Sequence, residues 1–161
     1  QAATDVAMDA IQLFGGNGYM DEGPMGRLYR ETPVISIWEG SGNVMGLDRL
    51  RASSREPEAL LALLDDLGRR HADESVLSLA VRSLQAAMRV SGEELENQAR
   101  RHAQRLILLV QAGLLREYST TEVADAFIAS RFDAEAGRIF GCLPPGTRQR
   151  TIIHRAWPAA A

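Results

Sequence analysis

The stretch from residue 57 to residue 70 reads PEALLALLDDLGRR. Proline suits the first position of a helix, because that position needs no amide hydrogen. The leucines that follow recur at three- and four-residue intervals, which places them on one face of a helix; they are Leu60, Leu61, Leu63, Leu64 and Leu67. The stretch therefore predicts an amphipathic helix that packs against other helices.

The sequence that follows repeats this pattern. Asp73 is predicted to cap a helix whose inward residues are Val76, Leu77, Ala80, Val81, Leu84 and Met88. Residues 91–94, SGEE, fit a capping box that opens a long helix to about Tyr118. Residues 119–122, STTE, fit a second box that opens a helix to about Phe140. Glycines and prolines at 141–146 end it, and one more helical turn is expected before the chain frays.

Residues 1–51 have a different character, dense in glycine, aromatic residues and irregular turns. A first helix is expected to run to about Phe14, as though continuing from something larger, and a short one from Pro24 to Arg30. Pro33 should end the short helix, because the residue before a proline avoids the helical region. Residues 34–38, VISIW, are predicted to be an extended or buried connector. Ser41 is the expected N-cap of a helix through Leu50.

These patterns predict an all-α fold, a helical bundle with additional C-terminal helices. No alternating strand pattern of useful length is present. The expected division places one domain at residues 1–52 and a helical extension at 53–161.

Composition excludes several classes of protein. The chain has 161 residues, 45% of them hydrophobic, with a net charge of −3. Cys142 is the only cysteine, which rules out an internal disulfide, and it is expected to be a buried or idle thiol. The three histidines, His71, His102 and His154, have no ligand spacing, so no metal site is predicted. No segment is long enough to span a membrane, and a cytoplasmic, reducing compartment is expected.

Two segments could carry chemistry. Residues 12–19, QLFGGNGY, end a helix in two glycines, whose backbone carries no side chain and could be approached by another molecule. The alternative is an ordinary glycine C-cap. Residues 37–43, IWEGSGN, place Glu39 between an aromatic residue and a flexible turn. Poor solvation there would raise the pKa of Glu39 and make it a better base. The alternative is an exposed glutamate held at a helix N-terminus by the helix dipole.

Together the two segments closely resemble the C-terminal domain of the acyl-CoA dehydrogenases over about residues 1–52. The residues that carry the resemblance are Gln12, Gly15, Gly16, Gly18, Tyr19, Arg27, Arg30, Glu39, Gly40, Ser41 and Arg51. The sequence of residues 36–45, SIWEGSGNVM, resembles that of the AidB-like branch of the family, which is associated with adaptive response to alkylation. That branch carries an additional helical region, to which residues 56–161 would correspond.

The resemblance implies that Glu39 removes the α-proton of a fatty acyl-CoA while a hydride leaves the β-carbon for the flavin of FAD. It implies that Gly40 leaves room for substrate, that Trp38 walls the flavin pocket and narrows the acyl tunnel, and that Arg51 lies at the pocket edge. Three residues match positions that touch FAD, namely Ser41, Gly42 and Asn43.

The resemblance also implies an oligomer, a tetramer in the complete protein. Gln12 and Gly16 match positions that reach the FAD of a neighbouring subunit, with Gly15 beside them. Arg27 and Arg30 are expected to form ion pairs with Asp21, Glu22 or Glu31 rather than to bind phosphate.

The family's preceding helical domain and β-domain are missing from these 161 residues. The chain alone is therefore expected to bind no FAD tightly and to be inactive. The segment up to Arg51 should be mobile or repacked without those domains, while residues 56–140 stay folded.

Two other functions remain open. The first is association with DNA, supported by the arginines at 100, 101, 105, 148, 150 and 155. A solvated helix face is the favoured interpretation of these arginines, because three glutamates lie nearby at 93, 94 and 96. The second is a helical oligomerisation module with a vestigial site.

Overall fold

The computed structural model describes residues 2–38, 40–90, 92–132 and 141–158. Contacts divide the chain into two compact units, 1–50 and 51–161. Every regular element in the described residues is helical, as the sequence predicted.

The first unit contains short helices and turns. Helix α1 spans Ala2–Leu13, α2 Gly16–Tyr19 and α3 Met25–Glu31, and a 3₁₀ turn spans Val34–Ser36. Helix α4, Gly42–Arg55, begins in this unit. The three short helices pack on one another, and α3 contacts the 3₁₀ turn. The predicted ends of the first helix and of the helix after Pro24 are confirmed to within one residue.

The connector at 34–38 differs from the prediction of an extended or buried segment. The amides of Ile37 and Trp38 both donate to the Val34 carbonyl at 3.0 Å, so local hydrogen bonds wind it into a turn. Thr32 stays helical although it precedes Pro33, because its amide and its hydroxyl bond to carbonyls of the last turn of α3. Pro33 therefore starts the 3₁₀ turn instead of forcing an extended chain. The connector's apolar side chains are exposed.

The second unit is a helical bundle. Its helices are α5 (Pro57–Arg70), α6 (Ser75–Ala87), α7 (Glu93–Asn97), α8 (Ala99–Tyr118), α9 (Thr121–Phe132) and α10 (Gln149–Ala156). Helix α6 packs against α5 and α8, α8 packs against α9, and α9 contacts α10. The core consists of Leu64, Leu67, Leu77, Val81, Leu84, Leu109, Ala112 and Ile128.

The leucine stripe and the inward face of α6 are only partly confirmed. Leu64 and Leu67 are buried as predicted, whereas Leu61 and Leu63 flank the stripe and are exposed. Val76 was expected inward but is 41% exposed, since it lies in the first turn of α6.

Three predicted boundaries are wrong. The cap of α6 is Glu74 in extended backbone rather than Asp73. The long helix expected from Glu93 to Tyr118 is two helices, because Gln98 leaves helical geometry with ψ 5° after Asn97, a poor helix former. Helix α9 follows Thr120, whose carbonyl accepts from the amides of residues 123 and 124, rather than Ser119.

The remaining differences concern the ends of the bundle. Helix α9 is described as far as Phe132, and the rest of its predicted course lies outside the described residues, as does Ser91 of the first capping box. The last segment forms the eight-residue helix α10, longer than the single turn expected.

Candidate functional site

The glycine turn between α1 and α2 presents open backbone. Gln12 lies exposed near the end of α1, and its carbonyl accepts from the Gly15 amide at 3.0 Å. Gly15 has φ 58° and ψ −142°, a backbone conformation that side-chain-bearing residues avoid. No atom lies within 4 Å of the point where a Cβ would stand on Gly15 or Gly16. The turn therefore leaves a face of main chain uncovered.

Gly18 serves packing instead. A Cβ added there would lie 2.4 Å from the Ile11 carbonyl oxygen and 3.0 Å from the Phe14 Cβ. Because the first of these atoms belongs to backbone, nothing can move aside cheaply. The fold itself therefore requires glycine at position 15 for its backbone angles and at position 18 for lack of space. Gly16 has neither a strained backbone nor a close neighbour that requires glycine.

The connector before Glu39 is an exposed apolar surface. Its members are Val34, Ile35, Ile37 and Trp38, and Trp38 is 72% exposed. Glu39, the predicted base, lies outside the described residues. The amide of Gly40 donates to the Ile37 carbonyl at 3.2 Å.

Gly40 is followed by the N-terminus of the 14-residue helix α4. The Ser41 carbonyl accepts from the Met45 amide at 3.0 Å, which puts Ser41 at the predicted N-cap position. Gly42 and Asn43 form the exposed first turn. A helix N-terminus carries partial positive charge and amide donors, and is therefore suited to an anionic ligand.

The predicted site residues fall into two places. Residues 38 and 40–43 lie at the end of the connector and the start of α4. Gln12, Gly15 and Gly16 belong to the glycine turn. Among the described residues, no extensive contact joins α1 or α2 to α4. Arg51 lies exposed further along α4.

Met45 is a residue that the sequence analysis did not single out. Gly40 has φ 119°, and a Cβ placed on it would lie 3.3 Å from the Met45 Sδ and 3.7 Å from its Cγ. Helix side chains lean toward the helix N-terminus, so a long apolar residue one turn into α4 could have been expected to reach the preceding turn.

Two clefts of the first unit involve the segment after the glycine turn. One, of about 190 Å³, is lined in part by Ile11, Tyr19 and Tyr29. The other is lined by Asp21, Arg27 and Arg30 among others. Arg30 forms an ion pair with Asp21 at 3.2 Å, as predicted. Both side chains are exposed, so the pair adds little stability.

Several arginines considered for DNA have partners within the second unit. Arg105 donates to the Ser83 hydroxyl at 2.8 Å, Arg148 pairs with Glu122 at 3.1 Å, and Arg155 donates to Ser119 Oγ at 2.9 Å. These contacts favour an internally bonded, solvated face over a phosphate-binding surface.

The same unit holds a network of ion pairs between helices. Arg116 on α8 makes a bidentate contact with Glu74, at 2.8 Å through its Nε, and a second contact with Asp125 on α9. Arg70 on α5 bonds to Glu117 on α8. The hydrogen bond from Arg70 lowers the pKa of Glu117. These ion pairs join elements of the bundle, and their residues are distant in sequence from the predicted site.

The other reactive residues show no grouping. Cys142 is exposed, so the buried alternative is wrong. His102 is buried, and the Nε2 of His71 is enclosed beside Gly113. In the described part of the chain, His, Cys, Asp and Glu form no cluster that could hold a metal. Within the same residues, no helix combines the length and apolar character needed to cross a membrane.

Comparison with known proteins places the first unit in a family. Residues 1–53 match the model of the acyl-CoA dehydrogenase C-terminal domain. A putative acyl-CoA dehydrogenase, AidB, from Escherichia coli K12 is 35% identical over 129 residues, which cover 80% of this chain and 23% of that protein. Acyl-CoA dehydrogenase family member 11 from Caenorhabditis elegans is 26% identical, over 89% of this chain and 25% of its own length.

A third relative matches a shorter part of the chain. Mitochondrial isovaleryl-CoA dehydrogenase from Pongo abelii is 47% identical over 47 residues, 29% of this chain and 11% of its own length. The match to AidB, at 129 residues, is too long to be confined to the first 53 and continues into the second unit. The resemblance inferred from the motifs is confirmed: residues 1–53 match the acyl-CoA dehydrogenase C-terminal domain.

Proposed function

We propose that this chain is the C-terminal part of an FAD-dependent flavoprotein that dehydrogenates an acyl-CoA thioester between its α- and β-carbons. The observation that carries the proposal is the match of residues 1–53 to the dehydrogenase domain, together with the open glycine turn and the exposed connector within that segment.

The activity is proposed for the complete protein. The chain spans about a quarter of the length of the first two relatives it matches, and less of the third. A flavin is a large ligand whose affinity comes from many enclosing contacts, and the first unit supplies a few. We further propose that residues 1–52 are the functional domain and 53–161 a helical extension.

The described residues fit a flavin nucleotide. The N-terminus of α4, at Gly42 and Asn43, carries the partial positive charge of a helix start, which suits an anionic group. At Gly16 the main chain is open, so a ligand can approach it without a side chain in the way. When bound, FAD supplies the acceptor for the hydride that leaves the β-carbon.

Glu39 is the proposed base. A thioester α-proton is far less acidic than a carboxylic acid, so the site must both desolvate the carboxylate and polarise the thioester carbonyl. The neighbouring connector is apolar, which favours desolvation once other parts of the protein cover it. Gly40 leaves space for the thioester, Trp38 forms a wall beside it, and Arg51 lies at its edge.

Oligomerisation is part of the proposal. In the complete tetramer, Gln12, Gly15 and Gly16 would contact the FAD held by a neighbouring subunit. Their exposure within this chain supports that role, as do the exposed apolar neighbours Leu13 and Phe14.

The deciding experiment replaces Glu39 by glutamine in the complete flavoprotein. Glutamine keeps the size of the side chain but cannot accept the proton. We expect exchange of the α-protons of isovaleryl-CoA with D₂O to fall by about 10³-fold or more, with flavin content unchanged in the visible absorption spectrum.

Glu31→Gln is the matched control, because Glu31 is an exposed glutamate at the end of α3 in the same unit. This variant should exchange at the wild-type rate. Exchange at the normal rate in Glu39→Gln would refute the assignment of the base, and a complete protein without flavin would refute the proposed function itself.

A further inference from the structure

The two clefts of the first unit adjoin each other. They have volumes of about 190 and 470 Å³, and Asp21 and Arg30 line both of them. The ion pair of these two residues therefore lies where the clefts meet. It joins Arg30 Nη1 to Asp21 Oδ1 at 3.2 Å, and the second oxygen of the Asp21 carboxylate has no partner among the residues that the structure describes.

The smaller cleft has aromatic side chains in its lining. Tyr19 and Tyr29 line it, together with the apolar side chain of Ile11 and the buried Gly18. Tyr19 is 83% exposed, so its ring is open to a ligand without rearrangement, and Tyr29 is half-buried. An apolar cavity of about 150 Å³ holds a benzene molecule, so this cleft has room for a planar ring system. Tyrosine rings stack on nucleobases of every kind, because each base has a π-face.

The larger cleft contains an arginine without a partner. The sequence analysis expected Arg27 to pair with a nearby acid, but this exposed side chain of α3 makes no ion pair or hydrogen bond with any residue that the structure describes. Its planar guanidinium matches the geometry of a phosphate group. Glu22 lines the same cleft and is the opposing charge there, so it should limit the affinity for an anion at Arg27.

We infer that the two clefts together bind a nucleoside 5′-phosphate. The base stacks on Tyr19 and Tyr29, the ribose crosses the ion pair, and the phosphate reaches Arg27. A carboxylate at the crossing point accepts hydrogen bonds from ribose hydroxyls, as an acidic residue does in dinucleotide-binding folds. The inference is independent of the proposed dehydrogenation. Two sources supply this chemistry, a free nucleotide or the adenosine phosphate end of a larger ligand such as FAD.

The test measures binding of radiolabelled AMP to the complete protein by equilibrium dialysis, with the flavin removed and with FAD bound. Saturable binding is expected in at least one of these states. Tyr19→Ala should weaken it by about tenfold, whereas Tyr19→Phe, which keeps the ring, should stay within about twofold of wild type. The matched control is Tyr118→Ala in the second unit, a tyrosine of comparable exposure at 78%, and it should not change AMP binding.

The phosphate and the ribose are tested separately. Arg27→Gln should weaken AMP by about tenfold or more and leave adenosine unaffected, because adenosine has no phosphate. Arg82→Gln, at an exposed arginine of α6, is the control for loss of one positive charge. Glu22→Gln should strengthen AMP binding by about two- to fivefold, since it removes the opposing charge. A 2′,3′-dideoxy analogue of AMP should bind wild type about tenfold more weakly than AMP does.

The state that binds AMP identifies the source. Binding that persists with FAD in place assigns the clefts to a free nucleotide, and displacement of AMP by FAD assigns them to the adenosine end of the flavin; both results support the inference. Three results would overturn it: no saturable AMP binding in either state, binding that Tyr19→Ala weakens no more than Tyr118→Ala does, and an Arg27→Gln loss that is equal for AMP and adenosine. A complete protein that never holds flavin would refute the proposed function and leave these measurements unchanged in meaning.

Discussion

The two units of this chain differ in how many of their large apolar side chains they bury. In the second unit, leucines of α5, α6 and α8 meet in one core, and Leu64 and Leu109 are completely buried. Among the described residues of the first unit, the buried hydrophobic side chains are Ala7 and Leu50, whereas Leu13, Tyr19 and Trp38 are largely exposed. The second unit also exposes large apolar side chains, such as Leu79 and Trp157, but it has a shared core, whereas the described residues of the first unit leave most of their large apolar side chains uncovered.

The ion pairs show the same contrast. The second unit has local pairs such as Arg70 with Asp66, and in addition pairs between residues distant in sequence, Arg70 with Glu117 and Arg116 with Glu74. The pair Arg30–Asp21 of the first unit spans nine residues and is well exposed. Stability should therefore respond to substitutions in the second unit, and function to substitutions in the first.

The largest stability effect is expected from Leu109→Ala. Leu109 is completely buried in the core, and truncating such a leucine removes apolar burial and leaves a cavity, which costs about 2–5 kcal/mol. Leu13→Ala, at 88% exposure on the end of α1, should change stability by less than about 0.5 kcal/mol. Urea unfolding followed by circular dichroism measures both variants. Equal losses would show that the first unit has a core as dependent on leucine as the second.

Much of the second unit could be predicted from sequence because its signals are local and repeated. The proline at the start of α5 and the leucines behind it gave the helix and its buried face, since helical periodicity and a shared core agree there. Helix starts were less predictable. Glu74 rather than Asp73 precedes α6, and its carboxylate is held by Arg116, which lies 42 residues away. No local pattern encodes such a contact.

The residues of the candidate site could be predicted from the sequence motif, but their backbone angles and neighbours could not. Glycines at 15, 16 and 18 look alike in sequence, yet they differ in backbone angle and in neighbours. Met45 lies within the motif and was given no role there, although the lean of helix side chains toward the N-terminus predicts that it reaches the turn before α4. The connector's turn was missed because the hydrogen bonds to Val34 outweighed the extended tendency of a β-branched run.

The next largest stability effect is expected from one of two glycine substitutions in the first unit, Gly18→Ala, and not from the other, Gly16→Ala. In Gly18→Ala the new methyl group would meet the Ile11 carbonyl oxygen at 2.4 Å. Overpacking of this kind costs about 1–3 kcal/mol, so amide exchange across α1 and α2 should accelerate about 10- to 100-fold. In Gly16→Ala the methyl group meets nothing within 4 Å, and exchange should be unchanged.

Hydrogen–deuterium exchange with mass spectrometry distinguishes the two variants. In the complete flavoprotein, Gly16→Ala should nevertheless weaken FAD binding, because the methyl group occupies the open face. Faster exchange in Gly16→Ala would show that this glycine is needed by the fold itself, which would remove the structural support for its proposed contact with the flavin.

The smallest effect expected is on the pH dependence of stability, through the ion pair of Arg70 with Glu117. The guanidinium of Arg70 holds the pKa of Glu117 below its usual value of 4.5. A carboxyl group whose folded pKa is lowered stabilises the fold at pH values above its unfolded pKa, and this stabilisation disappears as the pH falls through the folded pKa. Comparing Glu117→Gln with wild type, the gap in urea midpoint should be constant near pH 7 and should shrink below about pH 4.5. Asp21→Asn is the control from the first unit, and its exposed pair should give no such gap at either pH. Because salt screens exposed charges, the Glu117 gap should also narrow in 1 M NaCl at pH 7. A gap for Glu117→Gln that persists unchanged at pH 3, or one of equal size for Asp21→Asn, would mean that the interhelical ion pairs stabilise the bundle no more than a local surface pair does.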